Sequence, residues 1–147
     1  MINSFNLNPK ALISEISQEL KPLADKNQLK VGFFESSKYQ NGIFVADVAK
    51  NNEFGTLEIP SRPFFRNAIE NNSKKWINFL AQDLVKSENA EISYNRLGEV
   101  ARGDIVKSIN QTNSPANSPL TIKAKGSSKP LVDTGFLRAN VTFKVEK

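Results

Sequence analysis

The sequence predicts a small α+β domain, in which a small antiparallel sheet packs against several amphipathic helices, with one long mobile loop. Three features indicate this class. Apolar residues recur at helical spacing in several segments, two short segments have the apolar pattern of strands, and residues 110–130 are rich in Asn, Ser, Pro, Lys and Gly. A chain of 147 residues is long enough for one core and short for two, so residues 1–147 are expected to form a single domain.

A first helix is predicted within residues 1–27. Asn8 suits the N-cap and Pro9 suits the first helical position, whereas Pro22 should end or kink the helix. The apolar face of this helix would consist of Leu12, Ile13, Ile16 and Leu20. The opening residues contain neither a basic region nor an apolar stretch, so no signal peptide is expected.

A short strand is predicted at residues 30–35, and the pair Asn41-Gly42 predicts a turn after it. The next helix is indicated by apolar residues at helical spacing, and Gly55 is well placed to end it. Those apolar residues are Phe44, Val45, Val48 and Ala49.

Pro60 and Pro63 predict an extended corner, because each keeps the residue before it out of the helical region. Pro63 can also start the longest helix of the chain, whose apolar residues are Phe65, Ala68, Ile69, Trp76, Phe79, Leu80 and Leu84. The polar residues 71–73 leave open whether this segment is one helix or two.

A further helix is predicted with Leu97, Val100, Ala101, Ile105 and Ile109 as its inner face. Gly103 weakens this helix by about 1 kcal/mol relative to alanine without breaking it. Residues 110–130 then form the predicted flexible loop, with one helical turn at residues 121–125.

The end of the sequence regains a regular pattern. Asp133 is suited to capping a single helical turn. Val141, Phe143 and Val145 alternate with polar residues, which predicts a half-exposed strand with an antiparallel partner.

The chain contains no cysteine and no histidine. A disulfide framework, a thiol nucleophile, a Ser-His triad and a zinc site built from these residues are therefore excluded. A net charge of +5 is a modest excess, which fits solubility as well as contact with nucleic acid or an acidic partner. The lack of cysteine fits a reducing compartment such as a bacterial cytoplasm. No stretch is apolar enough to span a membrane, so no membrane partner is expected.

The segment most similar to a catalytic motif is residues 131–135, Leu-Val-Asp-Thr-Gly, which resembles the active-site loop of aspartic proteases. Those enzymes need two such aspartates that share one proton. The bulky and charged residues 136–138 depart from that family's continuation, and the rest of the chain is rich in helix instead of strand. Asp133 is therefore interpreted as a helix cap, and the sequence predicts no enzyme.

The remaining polar residues give no strong signal for a catalytic, cofactor or metal site. Residues 125–129 lack the spacing of a phosphate-binding loop. Glu53, Glu58 and Glu70 are expected on the solvated surface. Neither a cofactor nor a metal is expected. Basic residues that would suit contact with phosphates are Lys74, Lys75, Arg102, Lys123, Lys125 and Lys129.

Two longer segments carry a family resemblance. The first contains Val-Gly-Phe-Phe at 31–34, Asn-Glu-Phe-Gly-Thr at 52–56 and Ile-Pro-Ser-Arg-Pro-Phe-Phe-Arg at 59–66. The second contains Ser-Pro-Leu at 118–120, Leu-Val-Asp-Thr-Gly at 131–135 and the closing strand at 141–145. In this order, the two segments resemble the tail-completion and virion-morphogenesis proteins of tailed phages. The resemblance covers residues 28–146, and it is weak in the helices from 71 to 111.

This resemblance implies an architectural role: a neck or tail-completion subunit that joins the tail to the head connector, commonly as a ring around the DNA channel. The implied partners are other phage neck, connector and tail proteins, and further copies of the chain in a ring, for which a hexamer is one option. Non-specific contact with packaged DNA is a further expectation. The implied location is the head–tail junction of the virion, after assembly in the bacterial host cytoplasm. The alternative is a DNA-associated phage protein or an assembly chaperone that acts as a monomer or dimer.

A ring needs interfaces in which one surface of a subunit meets a different surface of its neighbour. The proline corner would offer Phe64 or Phe65 as an apolar contact and Arg62 or Arg66 as a partner for carboxylates, with one of the two phenylalanines expected in the subunit's own core. The full set of candidate interface residues is Phe54, Arg62, Pro63, Phe64, Arg66, Lys123, Lys125, Asp133, Thr134 and Leu137.

Overall fold

The computed structural model describes residue 18 and residues 27–87, 89–126, 131 and 135–147. Its elements, in chain order, are β1 (Gln28–Gly32), α1 (Val45–Phe54), α2 (Phe64–Lys86), α3 (Ala90–Gln111), α4 (Pro119–Lys125), α5 (Phe136–Ala139) and β2 (Thr142–Glu146). The predicted α+β class is confirmed. The helix predicted within residues 1–27 lies outside the described residues, apart from Gln18 and Asn27.

Within the described residues, the sheet consists of β1 and β2, paired antiparallel with Val31 opposite Phe143. The closing strand was predicted correctly, but the first strand ends at Gly32 instead of continuing to residue 35. After Gly32 the chain leaves the ladder, and the ring of Phe33 packs edge-on against Phe64 with the ring centroids 6.2 Å apart. The Phe33 side chain is half-buried and packs against the core at the point where the ladder ends.

The helices α2 and α3 form a hairpin, and α3 also supports the sheet. The question of one helix or two is settled in favour of one, because α2 is continuous over 23 residues. The predicted inner face of α3 is buried except for Val100, which is half-buried. The predicted apolar face of α2 is wrong in part: Ala68 and Leu84 are buried, whereas Ile69 is 43% exposed.

The close contact between the sheet and α3 depends on Gly98. A Cβ atom at this position would lie 2.3 Å from Cδ2 of Phe143, which is far inside van der Waals contact. Gly98 therefore allows the Phe143 ring to rest directly on the helix backbone. Gly103 lies on the same helix, as the sequence predicted. A Cβ atom at this position would have no neighbouring atom within 4 Å.

The turn and the short helix after it were predicted correctly. Gly42 has a φ of 82°, and the backbone N–H of Tyr39 donates to the Ile43 carbonyl at 2.8 Å. The helix α1 then runs from Val45 to Phe54 and ends at Gly55, as expected. Val45 and Ala49 are buried in the main core.

The segment predicted as a flexible loop, 110–130, is more regular than expected in its described part. The helix α3 extends to Gln111, and α4 begins at Pro119, two residues earlier than the predicted turn. The earlier start has a local cause, because the Ser118 hydroxyl accepts a hydrogen bond from the Thr121 N–H at 3.3 Å. The mobility of the segment stays a prediction. Among the described residues, no helix combines the length and apolarity that crossing a membrane requires.

Candidate functional site at the corner between α1 and α2

Residues 55–63, termed the corner, connect α1 to α2. Gly55 has a φ of 78°, and a Cβ atom there would lie 2.8 Å from the backbone nitrogen of Ser61. Glycine is therefore required both for the backbone conformation and for the close approach of the chain. The N–H of Thr56 donates to the Ile59 carbonyl at 2.7 Å, and the Thr56 hydroxyl accepts from the N–H of Ile59 at 3.0 Å. These contacts fold the corner into a tight turn.

The N-terminus of α2 is capped by a residue from α1. Pro63 occupies the N-cap position and provides no side-chain hydrogen bond. The Glu53 carboxylate supplies the cap instead, accepting from the N–H of Phe65 at 2.8 Å and from the N–H of Arg66 at 3.1 Å. A carboxylate at this place satisfies helix N–H groups that would otherwise have no acceptor, and it interacts favourably with the helix dipole. Glu53 therefore fixes the angle between α1 and α2.

Arg66 extends this contact to the surface. Its Nε donates to Glu53 Oε1 at 2.8 Å, and its Nη2 donates to the Glu53 carbonyl at 3.0 Å. The guanidinium also lies over the ring of Phe54, with Cζ 5.2 Å from the ring centroid, a cation–π arrangement. Arg66 is thus held in place while more than half of its side chain stays exposed.

Arg62 holds the other side of the corner. Its side chain is buried, and its guanidinium donates to the Pro115 carbonyl at 2.8 Å, the Ala116 carbonyl at 3.3 Å and Asn52 Oδ1 at 3.2 Å. Burial lowers the pKa of Arg62 from its usual value, because the charged form loses contact with water. These partners are neutral oxygens, so the buried charge is stabilised by hydrogen bonds that attach the segment 115–117 to the corner.

A pocket of about 290 Å³ opens beside the corner, between the end of β1, α1 and the start of α2. Its lining is mainly apolar and includes Phe33, Phe54 and Phe65, and the charged groups at its lining belong to Lys50, Glu53 and Arg66. Phe54 is 64% exposed. The pocket therefore combines an apolar interior with charged groups at its lining, and an exposed aromatic ring borders it.

The structure separates the candidate interface residues into different groups. Phe54 and Arg66 are exposed beside the pocket, and Lys123 is exposed on α4. Pro63 is half-buried at the N-cap of α2. Arg62, Phe64 and Leu137 are 5%, 1% and 4% exposed, so their side chains are not accessible on the subunit surface, and their assignment to an interface stays a prediction. Phe64 and Leu137 are part of the core, and Arg62 is enclosed by the residues that it binds.

The other candidate residues lie in less completely described parts of the chain. Lys125 is the last residue of α4, but its side chain lies outside the described residues, and so do Asp133 and Thr134. The N-cap of α5 is Gly135, with a φ of 78°. The expected cap by Asp133 therefore stays a prediction.

The most important residue that the sequence reasoning misplaced is Glu53. It was expected on the solvated surface, but it is 5% exposed and its carboxylate binds the start of α2. A signal for this role was present in the sequence: a helix that begins at a Pro63-Phe64 step has no capping side chain of its own, so its N–H groups need an acceptor from elsewhere.

The described residues provide neither a metal-binding cluster nor a free carboxylate at the pocket. They include no group of three or more acidic, histidine or cysteine residues that could hold a metal ion. At the pocket, the Glu53 carboxylate already accepts three hydrogen bonds, from the Phe65 N–H, the Arg66 N–H and the Arg66 side chain. Comparison with protein-family models, curated proteins and solved structures found no match.

Proposed function

We propose that this protein is a structural neck or tail-completion subunit of a tailed phage or prophage, which joins the tail to the head connector as part of a ring. One observation carries the proposal. The residues of the family resemblance at 52–56 and 59–66 form one hydrogen-bonded unit, and this unit presents an apolar pocket beside exposed Phe54. A rigid, preformed apolar surface with an aromatic residue suits a protein–protein interface, because little entropy is lost when it binds.

The charges of the pocket indicate the chemistry of its partner. Lys50 lines the pocket together with apolar side chains, whereas the charge of Arg66 is already paired with Glu53. A neighbour should therefore insert an apolar side chain next to a carboxylate that reaches Lys50. The corner itself presents this combination, because Leu57 is fully exposed and is followed by exposed Glu58. The proposed occupant of the pocket is therefore the Leu57-Glu58 turn of a neighbouring copy in the ring.

The DNA-associated alternative has weaker support. Several basic residues are already paired with acidic ones: Lys75 with Asp104, Arg96 with Asp83 and Arg102 with Glu99. Pairing lowers the local positive potential that would attract phosphates. A salt titration of binding to duplex DNA separates the two functions, since phosphate contacts weaken steeply as salt rises.

The decisive experiment is mass spectrometry of gradient-purified phage particles from the native host after prophage induction. We expect this protein in the particles at a stoichiometry of a few to about a dozen copies, as suits a closed ring. Presence in the lysate together with absence from the particles would refute the proposal and favour an assembly chaperone.

The contact between copies can be tested by disulfide trapping, since the chain has no native cysteine. Single variants Lys50→Cys and Leu57→Cys are assembled as a mixture and then oxidised. We expect a cross-linked dimer from the mixture and none from either variant alone. The exposed Lys74→Cys replaces Lys50→Cys in the control mixture. Equal cross-linking in both mixtures would mean that the Leu57 turn does not occupy the pocket.

A further inference from the structure

The pocket and the Leu57-Glu58 turn lie close together on one subunit. Phe54 lines the pocket, and Leu57 follows it by three residues, which span at most about 11 Å even when fully extended. The far side of the turn is tied back to the end of α1, because the Ser61 hydroxyl donates to the carbonyl of Glu53, another residue of the lining, at 2.8 Å. The turn therefore projects from the same corner of the molecule that borders the pocket.

The pocket and the turn carry opposite charges that are not neutralised within the subunit. Lys50 at the pocket and Glu58 in the turn are both exposed, and neither forms an ion pair with another described residue. Leu57 is fully exposed, so it does not fill the pocket of its own subunit. Each feature therefore lacks its complement in the part of the subunit that the structure describes.

We propose that two copies of the free protein exchange their turns, so that the Leu57-Glu58 turn of each copy occupies the pocket of the other. A two-fold contact uses the same surface on both copies. The short distance between turn and pocket meets this condition, because entry of one turn brings the second turn to the second pocket. Glu58 of each copy then meets Lys50 of the other, so that both charges are neutralised. The inference rests on the proposed occupant of the pocket.

Such a dimer competes with the ring. A head-to-tail pair of copies makes one contact between turn and pocket, whereas a reciprocal pair makes two for the same loss of translational and rotational freedom. The dimer is also complete with two copies, but a ring has to gather several, so the dimer prevails where the protein is dilute. Because it covers both the turn and the pocket, it keeps free subunits from assembling before other phage proteins gather them at the head–tail junction.

The first test is sedimentation equilibrium of the full chain over a series of concentrations. The corner is smaller than a standard interface, so the series has to extend to high concentration. We expect the average mass to rise from that of a monomer to that of a dimer and to stop there. Leu57→Asp should weaken dimerisation at least about tenfold, because each dimer contains the altered contact twice. The matched control is Leu120→Asp, at a leucine of α4 that is 81% exposed, and it should dimerise like the parent.

A second measurement tests the pairing of Lys50 with Glu58. Lys50→Glu and Glu58→Lys each place like charges in both contacts, so neither variant alone should dimerise. An equimolar mixture should form a heterodimer, because the turn of each variant then meets a pocket of opposite charge. Restoration by mixing is specific to this pairing, since a contact through another surface would not respond to it.

Four outcomes would overturn the proposal. They are a mass that stays at the monomer, a mass that grows beyond the dimer, a dimer that folded Leu57→Asp leaves intact, and a charge-exchanged mixture that stays monomeric. Growth beyond the dimer would indicate the head-to-tail contact of a ring instead. The neck function is decided separately by the composition of the particles. A protein that is incorporated into particles but forms no dimer keeps that function and loses only the reciprocal contact.

Discussion

The carboxylate of Glu53 on α1 accepts a hydrogen bond of 2.8 Å from the backbone N–H of Phe65 on α2. Twelve residues separate the two in sequence, and the corner between them contains two prolines and a glycine. Together with the hydrogen bond from the Arg66 N–H to the same carboxylate, this contact links the two helices across a connection of irregular backbone. Both helices contribute to the lining of the pocket beside the corner, so its shape depends on the angle between them.

Replacement of Glu53 should therefore destabilise the protein. We expect Glu53→Ala to lower the free energy of unfolding by about 1–3 kcal/mol, because the N–H groups of Phe65 and Arg66 lose their acceptor. The measurement is urea denaturation followed by circular dichroism. Glu58→Ala in the exposed turn is the control and should change stability by less than about 0.5 kcal/mol. Equal effects of the two variants would contradict the capping role.

The two glycines of α3 should respond in opposite directions to alanine. Gly98→Ala places a methyl group where the Phe143 ring lies, so we expect a loss of about 1–3 kcal/mol of stability. Gly103→Ala meets open space and should gain up to about 1 kcal/mol through helix propensity. Thermal unfolding of both variants gives the comparison. A neutral Gly98→Ala would mean that the sheet does not rest on the helix backbone as described.

Arg62 should control the order of the segment that follows α3. We expect Arg62→Lys to speed amide exchange at Ala116 and Asn117, because an ammonium group cannot reproduce the forked contacts of the guanidinium. Stability should fall by about 1–3 kcal/mol. Arg102→Lys, in an exposed pair with Glu99, is the matched control and should be nearly neutral. Unchanged exchange in the segment would show that other contacts hold it.

The contribution of Arg62 to stability should not depend on pH between acidic and neutral values. Burial lowers the pKa of Arg62, so folding opposes the charged form at every pH below that pKa. The guanidinium nevertheless stays protonated in both the folded and the unfolded state. Its contribution to stability is consequently constant, and the difference in unfolding free energy between the parent and the uncharged variant Arg62→Gln should be the same at acidic and at neutral pH.

Phe54 should matter for assembly and not for folding. Because its ring is mostly exposed beside the pocket, we expect Phe54→Asp to reduce incorporation into particles by at least about tenfold. The stability of the isolated subunit should change little. Ile43→Asp, at another exposed apolar position, should assemble normally. Quantitative mass spectrometry of the particles measures the effect, and normal incorporation of Phe54→Asp would remove this residue from the interface.

Ser93 on α3 provides a stabilising substitution. Its side chain is fully buried, and its hydroxyl has no hydrogen-bond partner within the described part of the chain. We expect Ser93→Ala to raise the free energy of unfolding by about 1 kcal/mol, since an unsatisfied polar group leaves the core. Ser61→Ala should do the opposite, because the Ser61 hydroxyl donates to the Glu53 carbonyl at 2.8 Å. A loss of stability in Ser93→Ala would point to a partner for its hydroxyl.

Local sequence signals predicted those features that depend on neighbours in the chain. Asn41-Gly42 specified its turn and Gly55 ended α1, because both positions require a positive φ that glycine adopts at little cost. The alternation of Val141, Phe143 and Val145 indicated β2, and the spacing of Leu97, Ala101 and Ile105 indicated α3. In each case the pattern reports which face of the element is buried.

The sequence by itself thus determined the class of the fold, most element positions and the presence of the proline corner, since these follow from backbone preferences and from the period of apolar residues. Only the tertiary structure decided that Glu53 is a buried cap, that Arg62 and Phe64 point inward and that Phe54 remains outside. Such assignments depend on which residues meet across separate elements. The spacing of apolar residues along the chain gives no information about contacts between residues of different elements.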